Sequence, residues 1–260
     1  MMASFDLKKS AETLRFNLDK AGVSASIKAE LIIVMDVSGS FEHEHEEGTT
    51  STLIKRLVPV AMELDPDRKI DVLSFSNGAD HVHHVGTVDE TDCDDFVINN
   101  IIDKVPGWNG GTTYSYPLEE SLKIFGWLAC DDHHGHQPQG FWSRFLGRPA
   151  PVAEVHSHEK KRSIVLFVTD GENDPNNDYN DKARTIKILQ ESQDRGDEVY
   201  FLFIGACEHS QFEFVRKIAD KFKNTGVVMA SDPEAFVELP DDELMATLLV
   251  PELLEWLKAA

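Results

Sequence analysis

A doubly wound, Rossmann-like α/β domain is the fold class that the sequence predicts, with a mostly parallel central sheet, one antiparallel edge strand and helices on both faces. Three observations lead there. The run Leu31-Ile32-Ile33-Val34-Met35 is continuous, apolar and rich in branched side chains, the pattern of a strand buried on both faces of a parallel sheet. Further strand-like runs alternate with stretches of helical spacing along the chain, as βα units do. The 260 residues, 41% of them hydrophobic, suffice for one such domain with a large core.

In chain order, residues 10–21 have a helical pattern and the first strand covers about 30–36. The acidic segment 41–48, which carries His43 and His45, reads as a loop. Residues 50–64 place Leu53, Leu57, Val60, Ala61 and Leu64 on one helical face. Residues 69–76 and 80–86 read as strands joined by Asn77-Gly78, a hairpin signal that supplies the antiparallel edge. Helices are expected over 94–105, stopped by Pro106-Gly107, and over 117–129, with Pro117 acceptable in a first turn. A strand at 163–169, a helix at 181–195, a strand at 198–205, a helix at 211–222, a strand at 226–230 and a helix near 242–258 complete the alternation. Pro251 is expected to kink or divide the last helix.

Chemistry concentrates where strands end. Asp36-Val37-Ser38-Gly39-Ser40 closes the first strand, and its carboxylate and two hydroxyls at alternate positions of a tight loop suit a hard divalent cation. Alone, the pattern also fits a plain strand-to-helix turn. Gly110-Gly111-Thr112-Thr113 adds a hydroxyl in a glycine loop before a helix, and Thr169-Asp170-Gly171-Glu172 ends another strand.

These three loops resemble the metal-ion-dependent adhesion site of von Willebrand factor type A (vWA) domains: Asp-x-Ser-x-Ser, a distant Thr and a distant Asp. The resemblance makes Asp36, Ser38, Ser40, Thr112 and Asp170 the metal site, for Mg2+ or Mn2+, with Ca2+ possible. It implies serine and threonine coordination directly or through water, aspartates acting largely through water, and an open position for an acidic residue of a protein partner. Within the superfamily, the chain is similar to the bacterial vWA proteins associated with tellurium resistance and stress. That similarity rests on Phe5-Asp6-Leu7-Lys8-Lys9, Ile70-Asp71-Val72-Leu73-Ser74-Phe75, Tyr200-Phe201-Leu202-Phe203-Ile204-Gly205, and the ending from Asp241-Asp242-Glu243-Leu244 to Trp256-Leu257. Phe41 stands where these proteins usually carry Met, a hydrophobic exchange. Residues 1–28 then form an N-terminal extension and 29–260 the vWA domain, with an insertion at about 131–160.

A net charge of −21 excludes ordinary nucleic-acid backbone binding and disfavours anionic membranes. Cys93, Cys130 and Cys207 are odd in number and widely spaced, which fits thiols in a reducing compartment rather than a disulfide framework. The charged N-terminus lacks a signal-peptide core, and no run reaches membrane-spanning length, so a cytoplasmic protein without membrane insertion is expected.

The expected function is metal-dependent protein binding rather than catalysis. The alternatives are a metal-dependent phosphohydrolase or phosphotransferase, and a structural scaffold. A phosphatase would carry a second acid two positions after the first, where this chain has Ser38. Neither a P-loop lysine nor a Gly-x-Ser-x-Gly elbow is present. Ten histidines, His43, His45, His81, His83, His84, His133, His134, His136, His156 and His158, raise a second metal reading, but surface positions without a common role are the stronger expectation. The segment Glu172 to Asp178 reads as a solvated loop. Trp108 and Tyr114, flanking the threonine loop, are expected in core or rim packing. The insertion, with its histidines and Phe141, Trp142 and Phe145, is expected to project from the core and to serve partner specificity.

Overall fold

A computed structural model describes residues 6–129, 160–171, 173, 180–207 and 212–259. Its elements, in chain order, are α1 (Leu7–Lys20), β1 (Glu30–Asp36), α2 (Glu42–Glu46), α3 (Thr49–Leu64), β2 (Ile70–Phe75), β3 (His83–Val88), α4 (Phe96–Asn100), α5 (Ser115–Ile124), β4 (Ser163–Thr169), α6 (Asp181–Arg195), β5 (Val199–Ala206), α7 (Glu213–Lys221), β6 (Thr225–Ala230), α8 (Pro233–Val237), α9 (Asp241–Leu248) and α10 (Pro251–Lys258). One sheet has the order β3-β2-β1-β4-β5-β6. All neighbours are parallel except β2 and β3, so the antiparallel strand lies at the edge.

Strand alternation sends successive side chains to opposite faces. Leu31, Ile33 and Met35 of β1, with Tyr200, Leu202 and Ile204 of β5, pack with α1, α3, α9 and α10 through Leu14, Leu57, Leu244 and Leu257. Ile32 and Val34, with Phe201 and Phe203, pack with α5, α6 and α7 through Leu118, Leu189 and Ile218. Both faces are covered, which is why β1 and β4 read as unbroken apolar runs. Helix α1 belongs to this packing, with Leu14 and Leu18 fully buried. β1 pairs with β2 on one side and β4 on the other. The crevice at the carboxyl ends of β1 and β4 is where such sheets place ligands.

Several elements differ from their sequence readings. Asn77-Gly78 does not join two strands directly: residues 76–82 separate β2 from β3 and include a 3-10 turn, Ala79–His81. Both residues are engaged by the threonine loop instead, because Asn77 Oδ1 accepts from the Gly111 amide at 3.0 Å and the Gly78 amide donates to Thr113 Oγ1 at 3.0 Å. The helix read over 94–105 is one short piece, α4. There Asn100 Nδ2 donates to the Phe96 carbonyl at 2.9 Å, a local bond of the kind that competes with helix propagation, and Asp103 turns left-handed at φ 55°. Helix α5 starts earlier than read and ends before Gly126, whose φ is 75°. The 41–48 loop contains α2. Pro251 divides the final helix, standing in the first turn of α10 where its missing N–H is no loss. The short α8, capped by Asp232 through the Ala235 amide at 2.9 Å, had no counterpart in the sequence reading. The insertion read at 131–160 lies outside the described residues except for Lys160, and of the loop 172–178 only Asn173 is described.

Candidate metal centre

β1 delivers Asp36 fully buried at its last position. Its Oδ1 accepts from the Ser38 amide at 2.9 Å and its Oδ2 from the Thr169 hydroxyl at 2.6 Å. Its carbonyl accepts from His45 Nε2 at 2.8 Å, which requires that nitrogen to carry the proton. His45 Nδ1 then accepts from the Thr50 hydroxyl at 2.9 Å. His45 is wholly buried between Phe41 and Trp108, at ring-centroid distances of 5.1 and 5.3 Å. Burial holds it neutral, with its pKa lowered to about 4, despite the opposing bond to the Asp36 carbonyl.

The threonine loop is joined to the first loop by backbone. Asn109 N donates to the Val37 carbonyl at 3.0 Å and Gly39 N to the Gly110 carbonyl at 2.9 Å, with Ser38 and Gly110 bridged in parallel. Gly110 is required there: a Cβ would come within 2.5 Å of Asn77 Oδ1 and 2.9 Å of the Gly107 carbonyl. Tyr114 is buried in the aromatic face, 5.0 Å from the Phe167 ring, and its hydroxyl donates to the Gly171 carbonyl at 2.5 Å. The threonine loop is thus fixed against both metal-motif strands.

β4 ends at Thr169 and places Asp170 opposite Asp36. Ser38 Oγ lies 3.3 Å from Ser40 Oγ and donates to Asp170 Oδ1 at 3.4 Å, and Ser40 also bonds Asp170. A methyl group on Gly171 would sit 3.9 Å from Ser40 Oγ and 4.0 Å from Thr112 Oγ1. All five sequence-read residues therefore meet in one place.

Their electrostatics fit a cation. Desolvation first, then the Asp170 charge, raises Asp36 to about 7. Desolvation also raises Asp170, to about 6, with Glu44 adding to the rise and the Ser40 bond opposing it. Glu44 Oε2 is shielded from solvent without a hydrogen-bond partner among the described residues. Two crowded carboxylates and three hydroxyls form an all-oxygen donor set suited to Mg2+, Mn2+ or Ca2+, with the Glu44 charge nearby. Among the described residues no three His, Cys, Asp or Glu side chains gather as a metal-binding group, so the fit rests on two carboxylates together with hydroxyls. His81 and His84 have local partners instead, Ser76 Oγ at 3.2 Å and Asp71 Oδ1 at 3.0 Å.

The family model of a vWA domain found in the TerF C terminus, vWA-TerF-like, matches residues 28–260. The chain belongs to this family. No curated protein sequence matches it. Among solved structures it is similar to proximal thread matrix protein 1 from the mussel byssus, at 16% identity, covering 84% of this chain and 48% of that one with a TM-score of 0.46. Manganese-loaded Plasmodium vivax TRAP matches at 16% identity over 83% of this chain and 73% of that one, TM-score 0.47. The pilus adhesin SpaC from Lactobacillus rhamnosus GG matches at 13% identity over 85% and 31%, TM-score 0.45. The vWA domain thus spans about half the length of the mussel protein.

The sequence reading named Thr169 only as a strand end and His45 only as one of ten histidines, and gave neither of them, nor Glu44, a part in this site. Thr169 adjoins Asp170, so its hydroxyl could have been found as a strand-end neighbour of the motif. His45 gave no periodic signal, because its partners are a backbone carbonyl and one threonine.

Proposed function

We propose that this vWA domain captures a protein partner through a divalent cation, Mg2+ or Mn2+ with Ca2+ as a third option, held by Asp36, Ser38, Ser40, Thr112 and Asp170. The observation that carries the proposal is the meeting of five oxygen-bearing side chains from three loops. A hard cation at such a site supplies a coordination position that a carboxylate from outside can fill. The residues of the chain do the rest. Ser38, Ser40 and Thr112 offer neutral oxygens, Asp36 and Asp170 balance the charge, and the backbone bonds at Val37 and Gly39 hold the loops in register.

Charge makes the cation necessary for an acidic partner. At −21 the chain repels another acidic surface, and a local divalent charge reverses that sign where contact is made. The family's link to TerF supports a role in bacterial tellurium resistance or stress. Among the described residues no helix is long and apolar enough to cross a membrane. A cytoplasmic site of action is part of the proposal, as is the absence of hydrolytic turnover, since Ser38 stands where a phosphatase carries its second acid and the sequence has neither a P-loop lysine nor a Gly-x-Ser-x-Gly elbow.

Affinity capture from native lysate, with Mg2+ or with chelator, tests this. A partner retained by the unaltered protein in Mg2+, released by chelator and absent from Asp36→Ala is the expected result. Chelator-independent retention, or turnover of phosphate esters that Asp36→Ala removes, would overturn it.

A further inference from the structure

Asp181 opens α6 and is fully buried, yet it is neither part of the five-residue motif nor part of the apolar core. Its carboxylate gathers donors from three segments. From the threonine loop, Tyr114 N donates to Oδ2 at 2.8 Å, Ser115 N to Oδ1 at 3.2 Å, and the Ser115 hydroxyl to Oδ1. From the stretch just after Asp170, Asn173 Nδ2 donates to Oδ2. From its own helix, Arg184 Nη2 donates to Oδ1 at 3.1 Å while Arg184 Nε reaches Ser115 Oγ at 3.1 Å and the guanidinium lies 4.3 Å from the Tyr116 ring.

This carboxylate supplies what the start of α5 lacks. No side chain of its own caps α5, and Asp181 receives the first free amides instead, at a helix end that favours negative charge. The same two oxygens bind the chain after Asp170. Thr112 is two residues before Tyr114, and Asp170 three before Asn173. One rigid anion therefore fixes the separation of two of the three loops that form the metal centre.

We propose that Asp181 is a positioning residue of this centre, setting the Thr112 and Asp170 loops at the spacing the cation requires and tying cation affinity to the N-terminus of α6. The proposal rests on the metal reading above. Outer partners that orient a site's ligands commonly change metal affinity by about 10- to 100-fold when replaced. Asp181→Asn keeps the shape but turns an NH2 toward groups that are themselves donors, so the gathering fails on one side.

The test is calorimetric titration of Mg2+ and Mn2+ into the full chain, at a temperature where every variant is folded by circular dichroism. Leu189→Ala is the comparison, because Leu189 is buried on the same helix away from the network and lowers stability without touching it. Asp181→Asn should weaken both cations by at least about tenfold and Asn173→Ala by a smaller factor, with Leu189→Ala within twofold of the unaltered chain. Unchanged affinity in Asp181→Asn, or an equal loss in Leu189→Ala, overturns the positioning role and leaves the metal reading standing. If Asp181→Asn does not fold, Asn173→Ala decides in the same way. Failure of the unaltered chain to bind either cation overturns the metal reading and this proposal together.

Discussion

Asp36 and Asp170 face each other across one crevice but are held by different means. Asp36 is sealed in, fully buried, with a backbone amide and the Thr169 hydroxyl on its two oxygens and His45 on its carbonyl. Asp170, 5% exposed, is held by the hydroxyls of Ser38 and Ser40, groups that rotate at little cost. The difference separates an anchor from an adjustable ligand. Asp36 is fixed by the strand and its surroundings, whereas the partners of Asp170 are two of the proposed donors, which on that proposal exchange its hydrogen bonds for a cation.

The largest effect expected is loss of the site. Asp36→Ala and Asp170→Ala should each weaken Mg2+ binding by about 100-fold or more, because each removes a charge that balances the ion. They should part company in stability. Asp36→Ala leaves the Ser38 amide and Thr169 hydroxyl without their acceptor, at a cost of about 1–3 kcal/mol, while Asp170→Ala leaves only hydroxyls that can rotate to one another. Chemical denaturation of the metal-free proteins distinguishes the two, and equal stability would remove the anchor from the comparison.

Replacing His45 tests the anchor from behind. His45→Ala removes a buried ring and both of its hydrogen bonds, and a stability loss of about 2–4 kcal/mol is expected in the same denaturation experiment. Cation affinity should fall less than in Asp36→Ala, since the donors themselves remain.

pH sharpens the comparison further. Asp36 and Asp170 have folded pKa values raised to about 7 and about 6, so between the unfolded carboxylate range and those values the native state holds more protons than the unfolded state. Their contribution to metal-free stability is therefore greatest at low pH and is lost as pH rises from about 4 to about 7. His45, lowered to about 4, works in the opposite sense: its contribution is present above about 6.5 and lost as pH falls toward 4. Cation affinity should rise from pH 5 to 8 because the ion displaces protons. Melting curves across this range, with Asp36→Asn reducing the first trend to the share of Asp170 and leaving the second, check the assignment.

The smallest effect belongs to Phe41→Met. The side chain is buried against His45, and a volume-conserving exchange should change stability by less than about 1.5 kcal/mol and leave cation affinity unaltered.

The layered sheet was legible because its strands are covered on both faces, which forces the continuous apolar runs of β1 and β4. The meeting of the five oxygen-bearing residues was legible because each adjoins a strand end or a glycine loop. What the sequence hid was long-range pairing. Asn77-Gly78 carries a local turn signal, yet its groups serve Gly111 and Thr113, some 35 positions away, and the hairpin widens accordingly. His45 and Asp181 likewise show no pattern of their own, since their partners come from other segments. The split at Pro251 was readable from its missing N–H, whereas α4 stops where the Asn100 side chain donates to the Phe96 carbonyl.

Manganese titration of the unaltered chain at pH 6.5, read by calorimetry in two buffers of different ionisation enthalpy, tests the central claim most directly. Single-site binding with proton release, lost in both Asp36→Ala and Asp170→Ala, is the expected result. Absence of binding, or binding that survives both substitutions without proton release, would contradict the assignment of this crevice as a metal centre.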